Sequence, residues 1–264
     1  MDRVRVDGCM LRCRLDGPGG NAPWLVFSNS LATDLSIWDA QAAAFASTWN
    51  ILRYDQRGHG GSDIGAGPID FARLGADVRA LMDHYNIARC VYAGLSMGVP
   101  TGLAAYRLAP DRFHGFVFLD GQARSAPGAD TSWSDRIETA RRDGMAAFAT
   151  QTAGRWLTGP DADRLRSRLQ AMIAATAFDG FALCANALKS YDLADVLPAI
   201  SCPTLLLAGR DDGAMPATMS DMAGRIAKAR FETIDQAGHV PCFEQPTAVN
   251  AAISGFLTAL EMRE

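Results

Sequence analysis

A serine with a glycine two residues away on either side, Gly94-Leu95-Ser96-Met97-Gly98, lies between a short apolar run, Cys90 to Ala93, and a stretch from Thr101 to Leu108 that reads as a helix. Gly-x-Ser-x-Gly in a strand, sharp turn, helix context suits nucleophilic chemistry. The turn strains the serine backbone and lifts Oγ clear of the strand, and a Cβ at either glycine would collide with neighbouring backbone. The following helix aims the unpaired N–H groups of its first turn at the serine, which favours negative charge developing on an oxygen bound there. A serine hydroxyl is a poor nucleophile at neutral pH, so it needs a base, and the base needs an orienting acid. Two of the four histidines follow Ser96. His114 stands just ahead of an apolar run and is expected at the surface, whereas His239 lies in a loop just past a strand. His239 is the candidate base. Acids at strand ends are Asp120, Asp211, Asp212 and Asp235, and the chain by itself leaves all four open.

The elements that must hold these residues alternate. Val4 to Leu15 suggests a hairpin turning at Asp7-Gly8, and Trp24 to Phe27 a buried strand running into Ser28-Asn29-Ser30-Leu31. A helix over Trp38–Trp49, a strand over Ile51–Tyr54 and a helix over Phe71–Tyr85 follow, the last with Leu74, Val78, Leu81 and Met82 at helical spacing. Between them, the polar turn from Asp55 to Asp63 is glycine-rich but lacks the lysine and spacing of a phosphate loop. Phe116 to Asp120 is the next strand. Repeated strand and helix imply an α/β fold with a mostly parallel, doubly wound sheet and right-handed crossovers. The rhythm breaks after Gly121. Over 123–197 only helices are expected, at Trp133–Thr152, Ala162–Ala177 and Gly180–Leu188. The sheet resumes at Thr204–Ala208 and Arg230–Ile234, with helices at Pro216–Ile226 and Pro246–Leu260. The predicted organisation is a core of residues 1–122 and 198–264 interrupted by a helical insertion, 123–197.

Composition narrows the partners. The chain has 264 residues, 48% hydrophobic and 20% charged, with a net charge of −4, so nothing favours nucleic acid or an anionic membrane. The N-terminal residues lack the apolar run of a signal peptide, and no apolar stretch is long enough to span a bilayer. Six scattered cysteines have no metal-ligand spacing and read as reduced, buried thiols, pointing to the cytoplasm. A small-molecule substrate is expected, with no cofactor and no metal; a homodimer is compatible with the chain.

Over nearly its full length the chain resembles the α/β-hydrolases, and within them it is similar to the 3-oxoadipate enol-lactonases. The matching stretches are Phe27-Ser28-Asn29-Ser30-Leu31 with Thr33-Asp34-Leu35 and Trp38-Asp39, Leu52-Arg53-Tyr54-Asp55 with Arg57-Gly58-His59-Gly60, and the Ser96 pentapeptide. The segment Trp133–Trp156 and the strand Pro203–Gly209 also fit. Two stretches depart: Val99-Pro100, where such lactonases have a further glycine, and Val240-Pro241-Cys242-Phe243-Glu244, which is closer to general esterases. The resemblance implies a lactone or ester hydrolase with the order serine, acid, histidine. Asp212, third after Gly209, is then the acid, and His59, which precedes Ser96, is structural. The N–H groups of Leu31 and Met97 would form the oxyanion hole, and the insertion would cap the site. Pocket-lining candidates on that cap are Trp133, Met145, Phe148, Trp156, Met172, Phe178 and Phe181. One of Arg136, Arg141, Arg142, Arg155 and Lys189 would face inward toward an acidic substrate. Arg136, one helical turn after Trp133, would clamp ring and carboxylate with it.

Overall fold

The computed structural model describes residues 1–261, so residues 262–264 of the expected second core segment lie outside the described residues. Eight strands form one sheet: β1 Asp2–Val6, β2 Cys9–Asp16, β3 Trp24–Ser28, β4 Asn50–Tyr54, β5 Cys90–Leu95, β6 Phe113–Leu119, β7 Thr204–Gly209 and β8 Ala229–Ile234. Their spatial order is β1-β2-β4-β3-β5-β6-β7-β8. Pairing is antiparallel for β1–β2 and β2–β4 and parallel from there to β8. The buried and exposed positions explain the arrangement. Every residue of β4, β5 and β7 is buried, as a parallel strand covered on both faces requires, whereas β2 buries alternate residues and β8 alternates partly exposed ones at the edge.

The helices are α1 Asp39–Phe45, α2 Phe71–His84, α3 Gly98–Leu108, α4 Ala129–Trp156, α5 Ala162–Ala174, α6 Phe178–Lys189, α7 Met215–Ala223, α8 Pro241–Glu244 and α9 Pro246–Glu261. Asp70 caps α2 by accepting the Arg73 N–H at 2.8 Å. Helices α2 and α3 pack on one another, and α1 packs against α8 and α9. The helix expected over Trp38–Trp49 is shorter: α1 ends at Phe45 and follows a 3₁₀ turn at Leu35–Trp38, which Asp34 caps by accepting the Ser36 N–H at 2.8 Å. The helix read to Ala177 stops at Ala174, and that read over Pro216–Ile226 runs from Met215 to Ala223. His114 is inside β6 rather than ahead of it, and is half-buried.

Three helices, α4 to α6, separate β6 from β7, with no strand longer than an isolated bridge between Arg124 and Asp192. Helix α4 is broken at Gly144, whose φ is +82°. This helical insertion meets the core where two glycines touch backbone to backbone. A Cβ on Gly58 would stand 2.5 Å from Gly180 Cα, and one on Gly180 2.1 Å from Gly58 O. Beside them, the Cys184 thiol donates to the Arg57 carbonyl at 3.6 Å. Among the described residues no single helix is long and apolar enough to cross a membrane.

Candidate active site

The sheet reverses its winding between β3 and β5, and ligands of such sheets gather beyond the strand ends at that point. The two strands pair in register up to Ser28 opposite Gly94, so the turn after β3 lies beside the turn after β5. Ser96 occupies the second turn with φ +52°, a left-handed conformation rare outside glycine, and its N–H donates to the Leu119 carbonyl at 2.8 Å. The flanking glycines are sterically required. A Cβ on Gly94 would lie 2.4 Å from Gly98 O, and one on Gly98 2.5 Å from Ser28 O.

Ser96 Oγ–H donates to His239 Nε2 at 2.9 Å, and His239 Nδ1–H donates to Asp212 Oδ2 at 2.7 Å. The three side chains come from the turns after β5, β8 and β7, far apart in sequence. Of the other acids, Asp211 is exposed, Asp235 pairs with Arg210 at the surface, and Asp120 is buried at the end of β6 with Oδ1 accepting the Gly209 N–H at 2.9 Å. Burial works to raise the Asp212 carboxyl. The charge and hydrogen bond of His239 outweigh it and hold the group below its ordinary value. His239 is braced from behind: its N–H donates to the Trp156 carbonyl at 3.0 Å, and its ring lies 5.0 Å from the Trp156 ring, centroid to centroid. Glu244, 3% exposed, completes the brace. Its Oε2 accepts the N–H of Gly238 at 2.7 Å, and its Oε1 accepts those of Thr158 and Gly159 at 2.7 and 2.6 Å, tying the His239 loop to the end of α4. Sequence reading missed the role of Glu244, because two of its three partners, Thr158 and Gly159, lie 86 and 85 positions away.

His59 is elsewhere. It is 1% exposed, its Nδ1–H donates to the Arg57 carbonyl at 2.9 Å, and burial lowers its pKa to about 4, so it is neutral and structural.

Above Ser96 lies a cavity of about 480 Å³ lined by Ser30, Leu31, Met97, Asp120, Gln122, Trp133, Arg136, Arg155, Trp156, Tyr191, Met215 and His239 among others. The N–H groups of Leu31 and Met97 are given to no other protein group among the described residues. Trp133 and Arg136 both reach the cavity, the guanidinium 4.5 Å from the centre of the indole. Arg155, on the far side of the Gly144 break, lines the same wall. Burial, and then the like charge of Arg155, lower the Arg136 pKa, and among the described residues neither arginine has a carboxylate partner. Five of the aromatic and Met candidates do not line the cavity. Phe148, Met172 and Phe181 are core residues, and Met145 and Phe178 are half-buried against that core. Among the described residues no group of three or more His, Cys, Asp or Glu side chains is placed to hold a metal ion.

A family model described as the alpha/beta hydrolase fold matches residues 23–246. The chain belongs to the α/β-hydrolase fold family. The hydrolase is 34% identical to 3-oxoadipate enol-lactonase 2 of Acinetobacter baylyi over 241 residues, covering 89% of this chain and 88% of that one. Its structure matches the enol-lactonase from Burkholderia xenovorans with a TM-score of 0.91 at 36% identity, over 97% of this chain and all of the other. A malate-bound thermophilic esterase from Thermogutta terrifontis matches with the same score at 28% identity, over 98% and 99% of the two chains. The hydrolase is thus an enzyme of lactone and ester bonds, as its family resemblance implied.

Proposed function

We propose that this hydrolase opens a small lactone or short carboxylic ester bearing a carboxylate, with an enol-lactone of the 3-oxoadipate kind as leading substrate. One observation carries the reading: Arg136 and Arg155 present two guanidinium groups, without ion-pair partners among the described residues, to a cavity that opens on Ser96. A carboxylate leaving water needs such a partner, and the forked donors of arginine match it. The malate held by the Thermogutta esterase, and the enol-lactonases at 34% and 36% identity, support an acidic ligand.

Ser96 Oγ attacks the carbonyl carbon as its proton passes to His239 Nε2. Asp212, on the Nδ1 side, fixes the tautomer and stabilises the imidazolium. The oxyanion accepts from the N–H groups of Leu31 and Met97. The leaving oxygen then takes the proton from His239; in a lactone it stays tethered to the acyl chain. Water, deprotonated by His239, attacks the acyl-enzyme and releases the acid and Ser96. We read the α4–α6 insertion as a cap that supplies Trp133, Arg136, Arg155 and Trp156 over the nucleophile. Six free cysteines, all buried, support a cytoplasmic location.

The second reading is a general esterase, favoured by Val99-Pro100 and by the Val240–Glu244 run, which depart from the lactonase pattern on either side of the catalytic residues. The test compares a carboxylate-bearing enol-lactone with an uncharged lactone of similar size, in wild type, Arg136→Ala and Arg155→Ala. The acidic substrate should be preferred by wild type, and loss of either arginine should raise its KM by about tenfold, the worth of one charge-assisted hydrogen bond, without a matching change for the neutral lactone. Equal turnover of the two lactones by wild type would leave the general esterase.

A further inference from the structure

Asp120 stands where a lone buried carboxylate is hard to account for. It ends β6 with φ +41°, is fully buried, and lines the floor of the cavity. Its Oδ1 accepts the Gly209 N–H at 2.9 Å, which fixes the carboxyl at the end of β7, three residues before Asp212. Its Oδ2 is buried with no N–H or O–H directed at it. A buried carboxylate oxygen without a donor is costly, whereas a protonated one is itself a donor and needs only an acceptor. The acceptor in contact is Asp212, whose Oδ2 already holds His239 Nδ1–H and which retains further lone pairs. The oxygen lacks a donor because its neighbour is another carboxylate.

We propose that Asp120 is a positioning residue kept in its neutral, protonated form, and that its Oδ2–H donates to the Asp212 carboxylate and so fixes the acid that orients His239. The inference rests on the triad reading above. The surrounding charges point the same way. Burial, then the charge of Asp212, raise the Asp120 carboxyl well above the usual range; Glu244 adds in the same direction, and the Gly209 N–H opposes them. The Cys242 thiol, also facing Asp120, is itself pushed up by burial and stays neutral. His239 is the one group near the pair that becomes cationic in turnover, and it does so across Asp212 from Asp120. Two adjoining carboxylates in a dry site divide one proton, and the partner with the cation keeps its charge. The Asp120 proton therefore stays in place through the reaction, and Asp212 keeps a fixed rotamer as His239 gains and loses its own proton.

The test uses Asp120→Ala, Asp120→Asn and Asp212→Asn in the full chain. Asp120→Ala should lower kcat about tenfold, the worth of one hydrogen bond to a charged group, with KM little moved. Asp120→Asn, whose Nδ2–H₂ replaces the carboxylic O–H and whose Oδ1 still accepts from Gly209, should recover most of that loss. Asp120→Asn as damaged as Asp212→Asn overturns the proposal, since a carboxylate would then be needed at 120, and so does Asp120→Ala with wild-type kcat. A second readout needs no substrate. The folded wild type keeps a proton that the unfolded chain releases above about pH 4. Its unfolding constant in urea should therefore rise relative to that of Asp120→Asn by up to about tenfold per pH unit upward from there. A difference that stays flat between pH 4 and 7 overturns the proposal even if Asp120→Ala fails to fold. The urea result stands apart from the hydrolase reading, whose own failure would show as an active Ser96→Ala.

Discussion

Glutamine in place of Glu244 should cost more stability than its place in a four-residue helix near the C-terminus suggests. Three backbone N–H groups converge on the carboxylate, at 2.7, 2.6 and 2.7 Å, and the residue is 3% exposed. The glutamine oxygen can keep Thr158 and Gly159 or Gly238, and its NH₂ group then faces the remaining N–H, donor against donor. One bond to a charged acceptor is lost, at about 1.5–3 kcal/mol, and the others become neutral bonds worth about 1 kcal/mol less each. Relief from burying a charge returns part of this, leaving a net loss of about 3 kcal/mol. In a chain of this size that lowers Tm by roughly 6–12 °C. Differential scanning calorimetry at neutral pH measures it. The Gly238 N–H sets the start of the His239 loop, so kcat should fall as well, and by more than KM rises. A Tm within about 2 °C of wild type would refute the claim that these bonds fasten the loop.

Ser96→Ala should fold and bind substrate but lose at least about three orders of magnitude in kcat, as loss of a triad member does; single-turnover kinetics would show no acyl-enzyme burst. Asp212→Asn should cost far more activity than Asp211→Asn, because only Asp212 holds His239 Nδ1–H; the reverse ranking in kcat would move the acid to Asp211. His59 supplies a pH prediction. Its folded pKa, lowered to about 4, lies below the ordinary value near 6.5, so the unfolded chain binds a proton that the folded one refuses. That stability is complete above about pH 6.5 and is lost as pH falls to 4, about 3 kcal/mol in all. His59→Gln should flatten this loss in urea titrations, and parallel curves for the two proteins would show that His59 titrates normally.

The sheet and the Ser96 turn were legible because both are written locally. The strands from β3 to β7 are built on short apolar runs, interrupted in β4 by Arg53, and the Gly-x-Ser-x-Gly turn sits between one such run and a helix. The acid was legible only through the family resemblance, which points to Asp212, since choosing from the residues alone among Asp120, Asp211, Asp212 and Asp235 depends on how β6, β7 and β8 lie side by side, and that contact is absent from any one segment. The insertion was read as helices but its inward faces were not. The left-handed residue at Gly144 resets the helical phase between Trp133 and Trp156, so both reach the cavity although no single period joins them. Phe148 and Phe181 instead pack on each other, rings 4.6 Å apart. Glu244 was read only as the end of the Val240–Glu244 run ahead of the C-terminal helix, and nothing in its neighbours announces acceptance of N–H groups from 158 and 159.

The contact of Gly58 with Gly180 also bears on how such a protein acquires new substrates. Where two backbones touch, no side chain can be introduced on either one without separating them, so this seam tolerates almost no sequence drift. The Glu244 brace pins the insertion a second time, at the end of α4. The first half of α4, from Ala129 to the Gly144 break, meets the other elements through side chains, such as Ile137 and Ala140 in the packing and the Lys189–Asp130 pair at 4.0 Å. Side chains are exchangeable one at a time. Variation that retunes the pocket should therefore accumulate along this half-helix, which carries Trp133 and Arg136, while the seam and the brace hold the remainder of the insertion fixed over Ser96.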